Sequence, residues 1–175
     1  VVARVNPSVS SVCFGDTVVF NSTSLGDSLT FLWRFGNGDA STIAGPQSRV
    51  FNSIGNDTTW LRVSGYCGVD SVRSIFTSNK HPIANIVADT LNGCEDLRVN
   101  FTNGAGLGST YSWTFSGGFP VFSSSYTPSV LFTTPGTNRV VLRVDSVGCP
   151  AFDTVLIDVF PGPDPSFTVS PLSGC

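Results

Sequence analysis

Cysteine recurs at positions 13, 94 and 175, at intervals of 81 residues. The same offset carries Phe20 onto Phe101, Phe51 onto Phe132, Gly55 onto Gly136 and Leu61-Arg62-Val63 onto Leu142-Arg143-Val144. Trp33 and Trp113 are 80 apart, and Cys67 and Cys149 are 82 apart. So many matches in one register mark a tandem repeat. Whatever folds here must therefore fold twice, each time around a core of its own. Residues 1–80 read as repeat one and 81–161 as repeat two. Residues 162–175 read as the first strand and turn of a truncated repeat three, with Phe167 in the place of Val5 and Ile86. The opening residues already read as a strand with no signal peptide before them, the expectation for a piece cut from a longer chain.

Both copies carry an alternating apolar run that ends in a glycine turn. The runs are Trp33-Arg34-Phe35-Gly36-Asn37-Gly38 and Trp113-Thr114-Phe115-Ser116-Gly117-Gly118. Such a pattern predicts a half-buried strand entering a hairpin. No stretch has a helical apolar period, and 18 Gly and 11 Pro among many Val, Thr, Ser and Phe favour short strands. Each copy accommodates about seven strands, A to G, with the spacing of a β-sandwich. In copy one they fall near 3–6, 16–22, 29–36, 40–44, 48–52, 57–64 and 70–77. In copy two they fall near 84–88, 97–103, 110–116, 120–124, 129–133, 138–145 and 152–159. The period of two turns Leu29, Phe31, Trp33 and Phe35 inward on C, and Leu61 and Val63 on F. Their counterparts are Tyr111, Trp113, Phe115, Val140, Leu142 and Val144. The expected fold class is therefore all-β, a tandem of immunoglobulin-like sandwiches. The junctions Asn79-Lys80-His81-Pro82 and Pro161-Gly162-Pro163 carry proline and predict semi-rigid connections.

The nine Lys and Arg are scattered in a chain of net charge −3, which argues against a nucleic-acid partner. Five cysteines without a C-x-x-C pair, and one histidine, fit an oxidising compartment better than a metal site. No nucleophile elbow or phosphate loop occurs. His81 reads as a solvated junction residue and Glu95-Asp96 as a solvated turn. No catalytic residue, metal or cofactor is expected, and the chain is not expected to be an enzyme.

The Trp-x-Phe-Gly-Asn-Gly run, Phe132-Thr-Thr-Pro-Gly-Thr137 leading into Val140-Val-Leu-Arg-Val144, and Ser173-Gly174-Cys175 resemble the marks of the polycystic-kidney-disease (PKD) repeat. The resemblance covers essentially the whole chain. It departs from the family's turn at Asn37, where an aspartate is usual, and at Ser116-Gly117-Gly118, which has no acid. The cysteine-bearing version is most similar to arrays in secreted adhesins of Bacteroidetes-type bacteria, gliding-motility adhesins among them. The resemblance implies an immunoglobulin-like sandwich, a secreted cell-surface setting, and outer-membrane secretion or anchoring machinery as a partner.

In such a sandwich the A–B turn, with Cys13, and the F–G turn, with Cys67, lie at opposite ends, roughly 25 Å apart for strands of about eight residues. A disulfide needs Cα atoms within about 7 Å. Repeats stacked end to end bring the A–B turn of one against the F–G turn of the next. This predicts an inter-repeat bridge Cys13–Cys149, with the partners of Cys67, Cys94 and Cys175 outside the sequence. Pairing within each repeat, Cys13 with Cys67 and Cys94 with Cys149, stays open because connectivity is not fixed by sequence.

Seven runs of Asp, then Ser or Thr, then an aliphatic residue or Thr resemble the Bacteroidetes O-glycosylation acceptor. They make Thr17, Ser28, Thr58, Ser71, Thr90, Ser146 and Thr154 candidate acceptors. Asp-Thr-Val also suits a turn entering a strand, and N-linked sequons stand at Asn21, Asn56 and Asn100. On strand F, Trp60 and Arg62 should face outward beside Leu32 and Arg34 of strand C. These four form a candidate contact patch for a glycan, another domain or another chain. The alternative is an arginine stacked on the tryptophan for local stability. The expected function is a structural or adhesive stalk segment of a long cell-surface protein, acting in adhesion, gliding-type motility or an extracellular filament. Its partners would be neighbouring repeats, surface glycans or a substratum, and other copies of itself. The alternative is a carbohydrate-binding or spacer module of a secreted hydrolase.

Overall fold

The computed structural model describes residues 1–104 and 109–168. Strands are the only regular elements among them, and the chain divides into two compact units. Unit 1 comprises Val1–Pro82 together with Asp145–Pro150, and unit 2 comprises Ile83–Val144 together with Ala151–Cys175. The division is not a plain cut between repeats, because a short segment of repeat two belongs to the first unit.

The strands of repeat one are β1 (Val5–Pro7), β2 (Ser11–Cys13), β3 (Thr17–Ser22), β4 (Thr30–Arg34), β5 (Ala40–Ser41), β6 (Gln47–Val50), β7 (Gly55–Gly65) and β8 (Gly68–Asn79). They form a three-stranded sheet, β1-β3-β6, and a five-stranded sheet, β2-β8-β7-β4-β5. Repeat two supplies β9 (Ile86–Ala88), β10 (Asn92–Cys94), β11 (Leu97–Asn103), β12 (Thr110–Phe115), β13 (Gly118–Phe119), β14 (Phe122–Ser123), β15 (Ser129–Phe132), β16 (Gly136–Ser146) and β17 (Cys149–Phe160). Its sheets are β13-β15-β11-β9 and β10-β17-β16-β12-β14. The fold is all-β, of the immunoglobulin-like sandwich class, in two units.

Expected strand A is two strands rather than one. β1 pairs antiparallel with β3, whereas β2 pairs parallel with β8, Ser11 facing Thr77 and Cys13 facing Asn79. β9 and β10 repeat this split, Cys94 facing Phe160. The first segment thus reaches both sheets, and Cys13 ends a strand instead of lying in a turn. The fourth strand of each copy is short and joins the larger sheet, β5 beside β4 and β14 beside β12. Residues 162–168 form no strand and Phe167 is exposed. A strand there would need a ladder partner, and none of the described residues supplies one. The rest of the expected third repeat, including Cys175, lies outside the described residues.

The inward phases hold. Trp33, Leu61 and Val63 are fully buried in unit 1, as are Trp113, Phe115, Val140, Leu142 and Val144 in unit 2. Leu29, Phe31 and Tyr111 pack partly buried against these cores. Each buried indole N–H has a carbonyl acceptor, Ile43 for Trp33 at 3.1 Å and Ser125 for Trp113 at 2.9 Å. That removes the penalty of burying a donor and leaves the rings free to stack on Phe35 and Phe115. The glycine turns are tight for a steric reason. A Cβ at Gly36 would collide with the Asp57 carboxylate, and one at Gly117 with the Asn138 amide, both polar groups buried beneath the turn.

Candidate functional site

Cys13 and Cys149 are joined by a disulfide across 136 residues of sequence, with Cα atoms 5.5 Å apart. Both sulfurs belong to unit 1, since the segment Asp145–Pro150 is part of it. Cys149 is the first residue of β17 and fully buried, so it is not a turn residue. Cys67 is in the two-residue turn Tyr66-Cys67 between β7 and β8 and is exposed, as is Cys94 at the end of β10. The extra residue in the spacing from Cys67 to Cys149 has this consequence: at the repeat offset, the structural counterpart of Cys149 is Gly68. Cys67 and Cys94 are free thiols here.

Around the bridge, Phe14 N–H donates to the Asn79 carbonyl at 2.8 Å, and His81 Nδ1 lies 3.1 Å from the Pro150 carbonyl. A carbonyl can only accept, so His81 carries its proton on Nδ1. It is exposed, as expected of a junction residue, but it is hydrogen-bonded. Glu95 likewise holds the Gly162 N–H, at 3.3 Å.

The candidate acceptors are spread over both units. Thr17, Ser28, Ser71 and Thr154 are exposed, whereas Thr58, Thr90 and Ser146 are half-buried. Thr90 Oγ1 donates to the Asn92 carbonyl at 2.8 Å. Several aspartates of the same runs have backbone partners. Asp70 accepts from Ala3 and Ser71 N–H, Asp153 from Ile86 and Thr154 N–H, Asp89 from Asn100 N–H, and Asp145 from Gly148 N–H. These bonds tie chain entries and turns to the strands, which gives the Asp-Ser/Thr pattern a structural cause of its own. The pKa of Asp70 is lowered by the Ala3 and then the Ser71 N–H, and that of Asp89 by the Asn100 side chain and then its N–H.

The patch predicted around Trp60 is assembled on the outer face of the larger sheet of unit 1. Arg34 faces Trp60 across β4–β7, and Trp60 faces Arg73 across β7–β8. Two residues along, Leu32 faces Arg62 and Arg62 faces Ser71. Trp60 is 48% exposed, and a shallow depression of about 350 Å³ is lined by Leu32, Arg34, Trp60, Leu61, Arg62 and Ser71. The Arg73 guanidinium carbon lies 5.8 Å from the Trp60 ring centroid. Arg73 was not among the residues expected here. The two-residue turn at Tyr66-Cys67 fixes the register that opposes it to Trp60, and that turn length was the usable signal.

No protein-family model matches the chain, and no curated protein does. Solved structures do match. A chain of the complex between the mouse coronavirus receptor-binding domain and its murine receptor is 10% identical at a TM-score of 0.50, over 90% of this chain and 100% of that one. The chain shares a two-sandwich fold. Fibronectin(III)-like modules of CbhA from Clostridium thermocellum match at 13% identity and TM-score 0.49, over 90% and 95%. An I-band fragment of titin matches at 10% and 0.46, over 91% and 65%. Identities this low speak to fold alone.

Proposed function

We propose that the chain is a non-catalytic structural segment of a long, secreted cell-surface protein, a tandem of PKD-type sandwiches that holds adhesive elements away from the cell. The observation that carries this reading is the repeat itself: one sandwich plan built twice, with Cys13 of repeat one bonded to Cys149 of repeat two. A disulfide fits an oxidising, extracellular setting. Exposed Cys67 and Cys94 occupy the corresponding regions of their repeats and would bond to cysteines of neighbouring repeats, extending a series of cross-links along an array. The exposed acceptors Thr17, Ser28, Ser71 and Thr154 are the first choice for O-glycosylation, which would shield such an array. Side-by-side assembly into filaments belongs to the same reading.

The test is replacement in the full-length protein. In-frame removal of these two repeats should weaken cell adhesion. An unrelated sandwich pair of equal length should restore it, because a spacer works through its length and stiffness. Failure of the unrelated pair to restore adhesion would overturn the spacer reading.

A further inference from the structure

The outer face of β4, β7 and β8 combines features that packing does not require. Arg34, Trp60 and Arg73 form one cross-strand row, with Arg62 two residues along β7 on the same face as Trp60. None of the outward positions on these three strands is Asp or Glu, and Asp57 and Asp70 lie on the opposite parity. Among the described residues, none of the three guanidiniums makes an ion pair. Three of the nine basic residues thus converge on one half-exposed indole, on a chain whose net charge is −3. Repeat two builds the same strands with Thr114, Val141 and Thr154 at the positions of Arg34, Trp60 and Arg73. The fold does not need the cluster.

We propose that this face binds an acidic polysaccharide. The indole is 48% exposed with the Arg73 guanidinium carbon 5.8 Å from its ring centroid, and the apolar surface left open offers a platform on which the C–H face of a pyranose ring can stack. Guanidinium groups pair in bidentate fashion with carboxylate or sulfate. Arg34 and Arg73 are on strands two apart, about 10 Å between strand axes, so successive charges of an extended polyanion can meet both while one ring lies on Trp60. The depression lies on the outer face of the sheet, which suits a chain lying across the strands. The proposal does not depend on the spacer reading.

The test uses the full chain, titrated calorimetrically with polygalacturonate oligomers, sulfated heparin oligomers, neutral cello-oligosaccharides and poly-glutamate. Binding of the acidic saccharides is expected, weaker at about 0.3 M than at about 0.05 M NaCl because the exposed charges are screened. Trp60→Val, and separately Arg34→Thr with Arg73→Thr, install residues that the second repeat already accommodates. Each should weaken binding about tenfold or more while the thermal transitions stay in place. Polygalacturonate binding alone would name a carboxylated ligand and heparin binding alone a sulfated one. Unchanged affinity in both variants would overturn the proposal, as would absence of acidic-saccharide binding. Equal binding of the neutral saccharide, or poly-glutamate binding with the same dependence on Trp60, would overturn it too.

Discussion

Thr59 and Ser78 are 0% and 1% exposed, and neither hydroxyl has a hydrogen-bond partner among the described residues. At the repeat offset, unit 2 places Val140 and Val159 there, 0% and 3% exposed. A hydroxyl buried without a partner costs about 1–3 kcal/mol. Thr59→Val exchanges it for a methyl of nearly equal volume, which contributes about 0.8 kcal/mol of apolar burial without opening a cavity. The expected gain is about 2 kcal/mol. Ser78→Ala removes the other oxygen without adding volume, for about 1 kcal/mol. Thr59 faces Ser74 and Ser78 faces Gly55, four rungs apart on the β7–β8 ladder, so the two gains should add. Each kcal/mol corresponds to roughly 4–8 °C in a domain of this size. Urea denaturation and calorimetry of the oxidised chain measure both quantities. Thr59→Ser, which keeps the oxygen and deletes the methyl, should instead destabilise by about 1 kcal/mol. Loss of stability in Thr59→Val at an unchanged m-value would refute the reasoning, because the hydroxyl would then have to be engaged.

Two further outcomes follow. Asp70 is held below the ordinary aspartate pKa by the N–H groups of Ala3 and Ser71, so the fold favours its charged form. Its contribution is complete above the unfolded value of about 3.9 and is lost as the pH falls through the lower folded value. Asp70→Ala should therefore lower the melting temperature at neutral pH, and the gap from the parent should close in acid, as thermal melts over that range would show. Replacing Cys13 and Cys149 by Ser removes a link across 136 residues, for which chain entropy sets a ceiling of about 5 kcal/mol. Denaturation in urea should show that loss, whereas Cys67→Ser should change little because Cys67 is an exposed turn thiol.

Much of this arrangement was legible in the residues because a period of two leaves little freedom. Trp33 sets the phase of its own strand, and on the strand of Leu61 and Val63 the same alternation turns Trp60 and Arg62 outward once those two face in. The bridge from Cys13 to Cys149 was one of two pairings the residues left open; it rested on repeats stacking so that the A–B turn of one meets the F–G turn of the next. Elements too short to carry a period were not legible. The three-residue strands β2 and β10 have no alternation to read, so the split of the first strand went unseen, and with it the place of Cys13 at a strand end. The sheet joined by the two-residue strands β5 and β14 was hidden for the same reason. Arg73 was missed because its neighbour on the sheet depends on the register of a hairpin, which its own strand does not state.

The split of the first strand has a mechanical consequence. In unit 1, β2 precedes everything but β1, β8 is the last strand of repeat one, and the two run parallel. Tension that draws the chain's beginning one way and the chain beyond Asn79 the other pulls these neighbours lengthwise past each other. Their hydrogen bonds then lie across the load and must give way together. In an antiparallel hairpin such as β7–β8, pulling on the open ends would peel the bonds off one after another. β10 and β17 have the same parallel geometry. With the Cys13–Cys149 disulfide intact, tension passes from Cys13 to Cys149 and spares residues 14–148; once it is reduced, resistance to stretching begins at residues 11–13 and 92–94, the strands least visible in the sequence, before the aromatic cores are strained.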